Sequence, residues 1–105
     1  MKTLELEFEG TGEVRGVRFR QMLCSDKAFL YELTDGETGS LRYEVFERKV
    51  QKEMDVDWGD KVAHYEEKEM YPKSNSFGSW AWCTRKYDRA KEIYDELNAK
   101  KEEVI

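Results

Sequence analysis

Arg18, Arg20, Arg42 and Arg48 come nearest, by type and spacing, to a chemical site in this chain, and Phe46 falls among them. Guanidinium groups around an aromatic ring hold nucleotides or single-stranded nucleic acid by pairing phosphate and stacking the base. One reading of the set is therefore an anion-binding face whose ligand is a nucleotide or another small anion. Glu5, Glu7 and Glu9 compete for the same arginines. A hairpin through Gly10-Thr11-Gly12 puts Glu7 near Arg15 and Glu5 near Arg18, in cross-strand pairs worth roughly a few tenths of a kcal/mol each. The charge ladder is the simpler explanation of the pattern.

A second constellation joins rings to carboxylates. Trp58 stands among Asp55, Asp57 and Asp60, and the segment from Tyr71 to Trp82 adds Phe77, Trp80 and Trp82. Trp80 and Trp82 fit between a sheet and a helix. A core this small cannot also enclose Trp58, Tyr71 and Phe77. Exposed rings near loops anchor protein interfaces, and Asp55, Asp57 and Asp60 with Glu66 and Glu67 would steer a basic partner towards them.

Catalytic chemistry is poorly provided for. His64 is the single histidine, with Glu66 two residues on, and no GxSxG or similar motif places a nucleophile beside it. Asp55, Asp57 and Gly59 resemble the start of a calcium loop, but Asp60 follows the glycine directly and no glutamate closes the register. Cys24 and Cys83 lack a metal or redox spacing and read as small hydrophobes without a disulfide. The expectation is a protein without catalytic residues, metal or cofactor.

The elements that must position these residues follow from periodicity. Leu4, Leu6 and Phe8 alternate with Glu5, Glu7 and Glu9, which predicts a half-buried strand. Further strands are predicted over 14–24, with a bulge at Gly16, and over 28–33, 41–49, 62–71 and 78–83. The third is apolar on both faces, which suits a strand covered twice or one covered by a second copy in a homodimer. Residues 51–60 read as the longest loop. From 85 to 99 the period becomes helical. At about 100° per residue Tyr87, Ala90, Ile93, Tyr94 and Leu97 share one face, with Thr84 as N-cap. A frayed tail follows over 100–105.

Together these predict one domain over 1–105 of α+β class: an antiparallel five- or six-stranded meander with one C-terminal helix packed on one face. The helix stripe is expected to meet Leu4, Leu6, Phe8, Val17, Phe19, Tyr43, Trp80 and Trp82. The arginines would lie on the opposite face.

Composition narrows the classes. The chain has 105 residues, 39% hydrophobic and 39% charged, and a formal net charge of -5. That balance disfavours duplex nucleic acid, which needs a basic footprint. No apolar run approaches the roughly 20 residues that span a bilayer, so a cytoplasmic location and no membrane partner are expected.

Phe77-Gly78-Ser79-Trp80-Ala81-Trp82, running on to Ala90 and Leu97, resembles short uncharacterised proteins of phages and mobile elements of gut bacteria, as does Phe8-Glu9-Gly10 before a turn. The resemblance covers about a quarter of the chain and brings no catalytic residues. It implies a small inhibitor or adaptor that acts on a host macromolecule. The sequence reading is thus a non-catalytic binding protein with a protein partner, Trp58, Tyr71 and Phe77 its anchors.

Overall fold

The computed structural model describes residues 2–99; the tail predicted over 100–105 lies outside them. Nine strands and one helix follow one another: β1 (Glu7–Glu9), β2 (Val17–Cys24), β3 (Ala28–Asp35), β4 (Leu41–Glu47), β5 (Val50–Gln51), β6 (Met54–Asp57), β7 (Val62–Tyr65), β8 (Lys68–Glu69), β9 (Ala81–Thr84) and α1 (Tyr87–Ala99). The main sheet is antiparallel and five-stranded, in the order β1-β2-β3-β4-β9. β1 to β4 form a meander. The chain then leaves the sheet, and it returns as β9 beside β4. The predicted α+β class and meander are both present.

α1 packs on β3, β4 and β9. Its buried stripe is Ala90, Ile93, Tyr94 and Leu97, set against Ala28, Leu30, Tyr43 and Val45, with Leu23 and Trp82 at the margin. Thr84 closes β9, and its hydroxyl accepts the Lys86 N–H at 3.2 Å. It therefore sits just ahead of the helical turn that it is expected to cap.

The other sheet face is also covered. Val17, Phe19, Phe29, Tyr31, Leu33 and Phe46 bury themselves under Leu4, Phe8, Tyr71, Phe77 and Trp80. Two expectations fail here. Phe8, Val17 and Phe19 lie opposite the helix rather than beneath it, and Trp80 and Trp82 lie on different faces.

One bulge explains the first failure. The register of β2 against β3 shifts between Gln21 and Leu23, not at Gly16. Each residue before the shift takes the opposite face from the one that continuous alternation gives it. Phe19 thus pairs with Leu33 on the loop-covered face, while Leu23 pairs with Leu30 beneath the helix. Trp80 differs for another reason: it precedes β9, in the turn that follows Ser74–Ser76. The doubly apolar β3 has both faces covered by its own chain, which removes the feature on which a second copy was expected.

The predicted strand over 62–71 is two short strands that do not join the main sheet. β5 pairs with β8, and beyond them β6 pairs with β7. The predicted loop over 51–60 therefore contributes strands to this ribbon. Lys2 bridges Lys68 on the outer side of β8, so the N-terminus pins the ribbon's base. Glu69 is buried there. It forms an ion pair with Arg48 and accepts the Leu4 N–H at 3.0 Å.

Candidate functional site

The outer hairpin, Met54–Asp57 with Val62–Tyr65, gathers exposed apolar side chains. Trp58 N–H donates to the Lys61 carbonyl at 2.7 Å, which leaves Gly59-Asp60 as a two-residue turn. Gly59 has φ 95, a value suited to the first position of a Gly-first hairpin turn. The register pairs Met54 with Tyr65 and Val56 with Ala63, so these four share one face, and Trp58 continues it. Met54 is 47% exposed, Trp58 66% and Tyr65 39%. The other face carries Asp55 opposite His64 and Asp57 opposite Val62. The hairpin is therefore an arm with one apolar side and a second side that carries Asp55, Asp57 and His64 beside the exposed Val62. Its strands pair only with each other.

His64 serves the acidic face. Its Nδ1 lies 2.6 Å from Asp55 Oδ1 and its Nε2 3.4 Å from Glu53 Oε1. The hydrogen bond to Asp55, aided by the charges of Asp55, Glu53 and Glu66, raises its pKa above the ordinary histidine value. The expected partner Glu66 thus acts only at longer range. Among the described residues no hydroxyl or thiol is hydrogen-bonded to His64, and no cluster of three or more His, Cys, Asp or Glu is arranged to hold a metal ion. Asp57 accepts the Gly59 N–H at 2.8 Å and shapes the turn. Cys24 and Cys83 are free and exposed, not buried as their isolation suggests.

Of the expected anchors, the arm holds Trp58 with Asp55, Asp57 and Asp60. Tyr71 and Phe77 belong elsewhere. Tyr71 is half-buried against the loop-covered core, with its ring centroid 4.8 Å from Phe46, 5.2 Å from Tyr31 and 5.4 Å from Phe19. Its hydroxyl donates to Glu44 Oε1 at 2.7 Å. Burial, with the Glu44 charge beside it, pushes that hydroxyl far above the usual tyrosine range. Phe77 packs at the margin of the same cluster. Most of the Tyr71 ring is taken up by its own core, so it does not stand out from the surface as Trp58 does.

The arginines divide between the faces. Arg18 and Arg20 face the helix side of the sheet, beyond the strands that α1 covers, opposite Glu9 and Glu7. Arg18 Nη2 lies 3.6 Å from Glu7 Oε2. The ladder is thus present, in a register different from the expected one. Arg42 faces the other side with Leu33, and Phe46 is fully buried there. Arg48 lies over the Phe29 ring at 4.7 Å and donates to the Ser25 carbonyl from Nε and Nη2. No common surface unites Arg18, Arg20, Arg42 and Arg48, and Phe46 has no free face to offer a base. The bulge in β2 is the physical reason.

Sequence reasoning passed over Met54, Val56, Ala63 and Tyr65. A signal was present, since apolar residues alternate on both sides of Gly59-Asp60, a dipeptide that favours two-residue hairpins. No helix among the described residues is long and apolar enough to cross a membrane. No family model matches the chain, and no curated protein or solved structure is significantly similar to it.

Proposed function

We propose that this chain is a non-catalytic binding protein, an inhibitor or adaptor, that holds a basic protein partner through its projecting hairpin. The observation that carries the reading is the exposed apolar face of Met54, Trp58 and Tyr65 backed by the acidic face of Asp55 and Asp57. Rings that the fold leaves in water gain most from being covered, and Trp and Tyr bury large areas at low entropic cost. Carboxylates on the reverse side raise the encounter rate with a positive surface. This is also the role implied by the resemblance to short phage and mobile-element proteins.

A second copy is a poor occupant, because it carries the same formal net charge of -5 and would meet the acidic arm with like charge. Two strands of about four residues, rising about 3.4 Å per residue and about 5 Å apart, present on the order of 150 Å². Stable interfaces bury about 800 Å² per partner. The hairpin is therefore an anchor for a partner that also covers neighbouring surface.

The test compares the wild type with Trp58→Ala and with Asp55→Asn/Asp57→Asn in saturable capture from lysate of the encoding organism. Trp58→Ala should abolish retention of the captured protein at any salt concentration. The Asn pair should slow association at low salt only. Equal retention by Trp58→Ala would refute the reading, as would a captured protein without a basic surface.

A further inference from the structure

A groove of about 730 Å³ opens on the loop-covered side of the sheet, away from the hairpin arm. Phe8, Tyr71 and Phe77 form its apolar walls, and Glu9, Glu13 and Glu44 bring carboxylates to it. Among the described residues no lysine or arginine lines it. Glu44 is part-buried beside these rings. One of its oxygens takes the Tyr71 hydroxyl, and among the described residues the other receives no hydrogen bond or ion pair. Burial holds the Glu44 carboxyl above the usual carboxylate range, against the smaller opposing effects of Tyr71 and Arg42. A part-buried carboxylate whose second oxygen is reachable from solvent can take a charged donor there. The surrounding ring faces favour a cation that is itself weakly hydrated.

We propose that this groove is a binding site for an arginine side chain of a partner polypeptide, its guanidinium on the free oxygen of Glu44 and its neighbouring apolar residues against Phe8 and Phe77. Arginine fits better than lysine on two counts. Its planar group stacks on rings while donating to a carboxylate in the same plane, and it gives up water more readily than an ammonium does. The groove is larger than one side chain, so residues flanking the arginine share it. The site stands independently of the arm, since none of its lining residues belongs to Met54–Tyr65.

The experiment titrates the full-length ¹⁵N-labelled chain with the capped tripeptide Leu-Arg-Leu. The same peptide carrying citrulline, a neutral isostere, and the one carrying lysine serve as comparisons. The arginine peptide should shift the amides of Phe8, Glu44, Tyr71 and Phe77, and citrulline should weaken binding about tenfold or more. Glu44→Gln, which keeps an acceptor for the Tyr71 hydroxyl, should weaken the arginine peptide to the same extent. The isostere comparison uses the unaltered protein, so it stands even where Glu44→Gln disturbs the fold. The assignment is overturned by equal binding of citrulline, by equal binding of lysine, or by an absence of shifts. Shifts confined to Glu53, Asp55 and Asp57 would also overturn it, because the arm would then be the site.

Discussion

Removing the guanidinium of Arg48 should cost this protein more than any loss on its charged surface. Glu69, whose side chain is 2% exposed, faces Arg48, whose side chain is 24% exposed. Arg48→Met leaves that carboxylate buried without its counter-charge. Breaking a buried pair in this way costs about 3–5 kcal/mol. The partial exposure of Arg48 places the loss near the lower end, about 3 kcal/mol. For a domain of this size that is a fall in Tm of roughly 12–24 °C. Urea unfolding followed by tryptophan fluorescence measures it as a lower midpoint at unchanged slope. The double variant Arg48→Met/Glu69→Met discriminates the cause. It removes both charges and, beyond the Arg48 bonds to the Ser25 carbonyl that both variants lose, leaves the Leu4 N–H without its acceptor, a cost of about 1–3 kcal/mol. The double variant should therefore be more stable than the single one. A loss below about 1 kcal/mol for Arg48→Met, or a double variant weaker than the single, would refute the reasoning. The pair matters for function because it ties the base of the arm to the end of β4.

Three further outcomes follow from the same geometry. His64 has a raised folded-state pKa, so its contribution to hairpin order is complete below the unfolded histidine value and is lost as pH rises through the folded one. Proton NMR of the imidazole, with amide exchange over 54–65, checks this; a His64 pKa at or below the ordinary value contradicts it. Gly59→Ala forces a side chain into φ 95 and should cost the turn about 1–2 kcal/mol, seen as faster amide exchange confined to the arm. Tyr71→Phe removes the donor to Glu44, so the Glu44 pKa should rise further and stability fall by about 2 kcal/mol. Carbon NMR of the Glu44 carboxyl reads the first effect, and an unmoved pKa would contradict it.

Much of the body was legible in the sequence because its signals are local. The alternation of Leu4 to Glu9 and the helical stripe of Ala90, Ile93, Tyr94 and Leu97 report their own environments. Facing was less legible. A single bulge near Met22 inverts parity along β2, and composition gives no sign of it, so Arg18 and Arg20 parted from Arg42 and Arg48. Tyr71 was misplaced for a related reason. Whether a ring after a charged stretch folds back onto a sheet depends on Glu44 and Phe46, distant in sequence, which receive it. Trp58 was read correctly as exposed, because the acidic residues around it leave nothing to bury it against. Its neighbours Met54 and Tyr65 do not show as one face while 51–60 reads as a loop and 62–71 as a single strand, although the turn at Gly59-Asp60 marks a hairpin.

In the proposed function a partner sits on the arm's apolar face. Replacing Trp58 with the photo-crosslinking residue benzoylphenylalanine, and Leu41 in a parallel sample, puts reporters on two exposed apolar positions, one on the arm and one on the sheet. Irradiation in lysate of the encoding organism should give one saturable adduct to a basic protein from position 58 and none from position 41. Unlabelled wild type should compete it away, and Trp58→Ala should not. Adducts from both positions alike, or none from position 58, would contradict the claim.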